Sequence, residues 1–234
     1  LSMGFYRSWM GILDPVASVR SLFMWTGWYA IIFLPALGLS LALRKPGVHR
    51  RMIACGTFTI LAWVLLRSSR SVAWTEAVKP LPLVLLLLGF RLLALCTAQQ
   101  EGRSRVSAQL ILRLTMVVFA LTLMAKIILN VHTFHYGFAL AMPATLVWVV
   151  ALLEWVPSGI ARVGGYAGIF RAVTLAVLVA AVGAHVDIFR FWFSRKVYRV
   201  GERADMFLAD ARGSAVNMAL GEMTRRIKPS ETLA

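Results

Sequence analysis

Acidic residues are scarce in this chain. It carries 10 Asp and Glu against 25 Lys and Arg, and all charged residues together make up 15% of its 234 positions. Soluble domains of this size carry about 25% charged residues, so there is too little polar surface here to coat a water-soluble globule. Cysteine is almost absent too. Cys55 and Cys96 stand far apart, give no metal-ligand spacing, and read as free thiols inside apolar stretches. A nucleophile elbow, a P-loop, an HExxH and a GxGxxG are all missing, and with them the site chemistries those motifs announce. Internal repeats and low-complexity segments are missing as well.

What is present is apolar. Hydrophobic residues are 59% of the chain and the mean hydropathy is +0.75. They gather in runs of roughly 20, the length that crosses a hydrocarbon core about 30 Å thick at about 1.5 Å per residue. In lipid the backbone must satisfy its own hydrogen bonds, which leaves helices or a closed barrel. Barrel strands alternate inward and outward, and Leu83–Leu88 does not alternate. The fold expected is therefore all-α: a polytopic helical membrane bundle of about six spans. The net charge of +15 would suggest nucleic acid in a soluble protein. Here the cations flank apolar runs, so the bilayer and its anionic lipids are the expected partners and nucleic acid is not.

Residues 1–22 place Phe5, Trp9, Ile12, Leu13, Val16 and Val19 at helical steps among Arg7, Asp14 and Arg20, as an amphipathic interfacial helix would. Asp14 and Pro15 divide it, as N-cap and first helical residue. The membrane domain is expected over 23–193, with spans at 24–43, 52–66, 81–98, 109–129, 138–156 and 169–193. Trp25, Trp28 and Tyr29 suit a head-group belt at the first of these. Residues 194–234 differ in kind. Val216, Leu220, Met223 and Ile227 form an apolar stripe with Glu222, Arg225 and Arg226 off it. This reads as the start of an extracytoplasmic domain, in a chain expected to be part of a longer protein.

The loops 44–51, 99–108 and 157–168 hold Arg44, Lys45, Arg50, Arg51, Arg103, Arg105 and Arg162; the loops 67–80 and 130–137 hold only Arg67, Arg70 and Lys79. By the positive-inside rule the first set faces the cytoplasm and the second faces out.

Arg91 lies mid-span, where an arginine costs about 2.5–3.5 kcal/mol on insertion scales; it is expected to face other helices or a polar cavity. Arg113, Lys126 and Arg171 lie near span ends and can snorkel. Asp187 and Arg190 are spaced as an ion pair. The densest polar segment is Lys126–Tyr136, with Lys126, Asn130, His132, His135 and Tyr136. His132, His135 and Tyr136 would share one helical face. Two histidines without a third ligand make a poor zinc site. Cations, imidazoles and a phenol can instead donate to the oxygens of a phosphate and a polyol, and Arg67 and Arg70 are expected on the same side. An interfacial loop with belt aromatics accounts for these residues equally well.

The run Lys126–Phe138, followed by Ala141, Met142, Pro143 and Ala144, resembles a late-core segment of bacterial membrane glycosyltransferases of the GT-C type, relatives of the protein O-mannosyltransferases and aminoarabinose transferases. Asp210, Ala211, Arg212, Gly213 and Asn217 are similar to the lead into the extracytoplasmic domain of some of them. The resemblance implies a multi-pass protein of the bacterial inner membrane. It implies transfer of a sugar from a polyprenyl-phosphate donor to an acceptor on the outer face; separately, no metal or cofactor is expected from these residues. The family's catalytic acid usually lies in the first extracytoplasmic loop, and no segment here matches that motif, so no catalytic residue is assigned. Arg67, Arg70, Lys126, His132, His135 and Tyr136 are candidates for holding the leaving phosphate. A transporter, a lipid-binding subunit and an O-antigen-ligase-like enzyme remain open, although the inverted repeats of many transporters are not seen.

Overall fold

The computed structural model describes residue 7 and residues 10–43, 48–68, 72–101, 106–132, 136–201 and 205–226. Its elements in chain order are α1 (Pro15–Ala42), α2 (Val48–Arg67), a 3₁₀ turn (Trp74–Glu76), α3 (Leu81–Glu101) and α4 (Ala108–Met124), which runs on as a 3₁₀ turn (Ala125–Ile127). Then come α5 (Tyr136–Val150), a π-type turn (Ala151–Trp155), α6 (Val156–Arg162), α7 (Ala167–Ser194), β1 (Tyr198–Val200), β2 (Phe207–Ala209) and α8 (Gly213–Arg226). Two compact units divide the chain, residues 1–182 and 183–234.

Five helical stretches are long and apolar enough to cross a bilayer: Pro15–Ala42, Trp74–Gln100, Ala108–Ile127, Ala139–Arg162 and Ala167–Ser194. Their outer faces carry large apolar side chains such as Phe23, Ile31, Leu34, Leu87, Phe90, Leu146 and Val182, all exposed. Leaving each of these in water would cost about 1.5–3 kcal/mol, whereas lipid accepts them. The chain is thus a multi-pass helical membrane protein. The helix α2, which contains the stretch expected as the second span, has Arg50 and Arg51 in its first turn and Arg67 in its last and is not among the five.

Asp14 caps α1, its Oδ1 accepting from Ala17 N at 2.9 Å, and Pro15 opens the helix. No break follows until Leu43, so residues 15–22 belong to the same helix as the first span; nothing between Pro15 and Trp25 stops helical hydrogen bonding. Trp25 and Tyr29 pack inward against other parts of the unit. Trp25 is buried, and Tyr29 donates its hydroxyl to Ala77 O at 2.8 Å, beside Phe33 and Trp148. The hydroxyls of Thr26, Thr59, Thr122, Thr145 and Thr174 each donate to the carbonyl one turn back, which satisfies them inside lipid.

One core of unit 1 joins α3, α4 and α5 around Leu85, Val117, Met124, Val131 and Ala144. A second joins α1, the π turn, α6 and α7 around Phe33, Ala36, Leu152, Ile160 and Phe170. A third sets Ala54 of α2 against Ile169 and Ala172 of α7. The two ends of the unit are tied by different groups. At one end, the Lys126 end, Ser18 Oγ donates to Gly11 O at 3.1 Å, Lys79 Nζ donates to Ser21 Oγ at 3.1 Å, and Gly11 lies against Leu129 and Asn130. At the other, the Ser40 end, Tyr166 N donates to Ser40 O at 2.7 Å and Phe170 N to Ser40 Oγ at 3.1 Å. The buried Ser40 thereby caps the start of α7 from α1.

Unit 2 holds the distal part of α7 and a small ββα module. Here β1 and β2 pair antiparallel, with Arg199 opposite Leu208. Gly213 lets α8 approach the hairpin, since a Cβ there would lie 2.9 Å from both Ala209 Cβ and Tyr198 Cβ. Asn217 Nδ2 donates to Arg199 O at 2.6 Å. Val216, Leu220 and Met223 remain exposed; Ile227 lies outside the described residues. Asp187 and Arg190 are both exposed and form no ion pair with each other. On α7 they lie near the end of the helix, where each side chain can reach water separately.

Before α8, Asp210 accepts from the Arg212 guanidinium (Nη2 at 2.6 Å) and from Arg212 N at 3.0 Å. These bonds, the side-chain one foremost, hold the Asp210 carboxyl below its ordinary 3.8. A depressed folded pKa stabilises the fold above the unfolded value and loses that contribution as pH falls through the folded value. Carboxyl ¹³C NMR of the labelled full chain in micelles is therefore expected to titrate Asp210 below 3.8. Arg212→Ala should return it to the ordinary value.

Candidate functional site

The Lys126 end is where the chain gathers its polar groups. The last turn of α4 tightens into the 3₁₀ segment Ala125–Ile127, and Asn130 N closes on Ile127 O at 2.9 Å. This reversal leaves Lys126 exposed while Ile127 and Val131 anchor in the core. His132 follows, 2% exposed, its Nδ1 2.6 Å from Asn130 O. A carbonyl oxygen only accepts, so Nδ1 carries a proton. Gly137 passes directly over the ring: a Cβ there would lie 2.5 Å from His132 Cδ2 and Nε2.

The sequence-predicted residues are placed unequally. Arg67 is exposed at the last position of α2 and Lys126 is exposed on the 3₁₀ turn. His132 is buried. Arg70 and His135 lie outside the described residues, as does the side chain of Tyr136. The shared helical face expected for His132, His135 and Tyr136 rests on His135 and the Tyr136 side chain, which lie outside the described residues; His132 itself is not part of a helix. Among the described residues no three His, Cys, Asp or Glu side chains cluster as metal ligands would.

The carboxylates near this end are committed. Asp14 caps α1, and Glu76 is ion-paired with Lys79, which also donates to Ser21. Trp74 is buried at the same 3₁₀ turn as Glu76, its indole N–H without an acceptor among the described residues.

A second polar cluster, at the π turn, was not expected. Glu154 accepts from Ser158 Oγ at 3.1 Å and lies 3.7 Å from Arg171 Nη2. Arg171 Nε donates to Leu153 O at 3.2 Å, and Arg113 stacks on Trp155 at 5.1 Å from the ring centroid. Arg171 and Arg113 therefore hold helix-to-helix contacts rather than merely snorkelling. The signal for Glu154 was in the sequence, since a carboxylate in an apolar run calls for a partner.

In unit 2, an open cleft of ≈ 460 Å³ is lined by Trp192, Arg195, Val197, Tyr198 and the Asp210–Arg212 turn. Arg195 stacks on Phe191 at 4.1 Å.

Fold and polar groups together define a multi-pass helical membrane protein with one end furnished with a lysine, an amide and a buried imidazole. Compared with known protein families, curated proteins and solved structures, the chain matches none.

Proposed function

We infer that the chain is part of an integral membrane glycosyltransferase that uses a polyprenyl-phosphate sugar, and that its Lys126 end holds the donor phosphate. The observation that carries this reading is the turn Lys126–His132. It places the exposed Lys126 on the same reversal as Asn130 and the buried His132, at one end of an apolar helical bundle. A lipid-linked donor needs that combination, an apolar surface for the prenyl chain and donors for the phosphate oxygens. In the transfer step the acceptor hydroxyl oxygen bonds to the sugar C1 while the C1–O bond to phosphate breaks. The hydroxyl proton goes to a base, and the departing phosphate keeps the electron pair and is held by the cations.

One observation favours a second reading, a lipid-binding subunit without catalysis. Asp14 and Glu76 are engaged as cap and ion pair, which leaves no free carboxylate to act as base at this end among the described residues.

Lys126→Ala in the full protein is expected to lower sugar transfer from a radiolabelled polyprenyl-phosphate donor about 10- to 100-fold in kcat/KM, the loss of one charge-assisted hydrogen bond. His135→Ala tests the adjoining segment in the same assay. Full activity in both variants would sink the phosphate-site reading. Donor binding without any transfer by the intact protein would favour the subunit.

A further inference from the structure

Arg91 is the central residue of α3 (Leu81–Glu101), and it is exposed. Its depth has an independent marker. Gly89, half a turn away, packs against Val117, which is fully buried in the middle of α4. Either end of α3 is about 15 Å from Arg91 along the axis, the half-thickness of the hydrocarbon core. That is well beyond the reach of an extended arginine side chain, so snorkelling does not serve it as it serves residues near helix ends. The inner face of α3, Leu81, Leu85 and Leu92, is spent on α4 and α5. Arg91 instead shares the exposed surface with Leu87, Phe90 and Leu95. Among the described residues no hydrogen bond or ion pair reaches its guanidinium.

We propose that this face of α3 docks a transmembrane helix that carries an Asp or Glu at mid-depth, contributed from outside the described residues. A guanidinium's parallel donors match a carboxylate in bidentate geometry, and Leu87 and Phe90 supply the packing around the pair. A second copy of this chain does not fit the role. Its Glu154 is held by Arg171 and Ser158, close to where α7 begins and not at mid-depth. Its Asp187 lies two turns from the Ser194 end of α7. The surface is separate from the Lys126 end, so the proposal does not rest on the glycosyltransferase reading.

The test places a photo-crosslinking amino acid at Leu87, one turn from Arg91, in the otherwise unaltered full protein in native membranes, with adducts sequenced by mass spectrometry. The expected adduct is a peptide from an apolar segment with a single central Asp or Glu. Arg91→Leu should reduce its yield about tenfold, and Arg91→Glu combined with an arginine at the identified carboxylate should restore it. Adducts with lipid alone, adducts with a second copy, or a yield unchanged by Arg91→Leu would each overturn the proposal. Because the first arm leaves Arg91 in place, a poorly folding variant cannot decide the outcome.

Discussion

Valine at position 165 is expected to leave little folded protein in detergent or membrane. A Cβ on Gly165 would lie 2.7 Å from Ile160 Cγ2, 2.8 Å from Ser40 O and 3.1 Å from Ile160 O. Neither oxygen is free to retreat. Ile160 O accepts from Gly165 N at 2.9 Å, and Ser40 O accepts from Tyr166 N at 2.7 Å. Relief requires α1 to part from the start of α7, which also strains the Ser40 Oγ bond to Phe170 N. Overpacking costs about 1–3 kcal/mol, each lost hydrogen bond adds about 0.5–1.5, and lipid offers no replacement partner. A total near 3 kcal/mol or more is expected, measured as loss of the monodisperse fraction after heating in detergent. The neighbour is the control. Gly164 has φ +77 but nothing within 4 Å of its Cβ position, so Gly164→Asn, a residue that tolerates this conformation, should cost about 1 kcal/mol or less. Equal losses at 164 and 165 would show that the Ser40 contact is not what holds this junction.

The contrast between those two glycines shows what the sequence could reveal. The long helices were legible because lipid imposes length and apolarity on each span independently of its neighbours. Asp14 and Pro15 were legible because capping is local. Ser40 was not: a serine in an apolar run carries no mark that its hydroxyl serves an amide 130 residues further on. Nor was the hairpin, whose strands of 3 residues each are too short for alternation to register. Tyr29 looked like a belt residue because its position along α1 fits one, while its rotation towards Ala77 depends on tertiary packing. The polar segment 126–136 announced itself by composition. Its internal geometry did not: nothing in the composition shows that His132 is buried outside any helix with its ring against Asn130 O.

That imidazole carries the second large expected effect. Alanine at Gly137 would place a methyl group 2.5 Å from His132 Cδ2 and Nε2 and 2.9 Å from His132 O. The ring cannot simply rotate aside, since its Nδ1 is held by Asn130 O at 2.6 Å and its surroundings leave it 2% exposed. Asn130 in turn packs on Gly11, which has φ +73 and where a Cβ would lie 2.9 Å from Asn130 Cβ. Gly137→Ala is therefore expected to destabilise by about 1–3 kcal/mol and to lower any activity that depends on Lys126, which sits on the same reversal. The cause can be isolated by a double-mutant cycle. With His132→Ala already present, the ring contacts are gone and only His132 O stands near the new methyl. The second substitution should then cost about 1–2 kcal/mol less than in the unaltered protein, a coupling typical of side chains in direct contact. Strict additivity would mean that the imidazole is not where Gly137 places it, and would remove the buried histidine from the account of the Lys126 end.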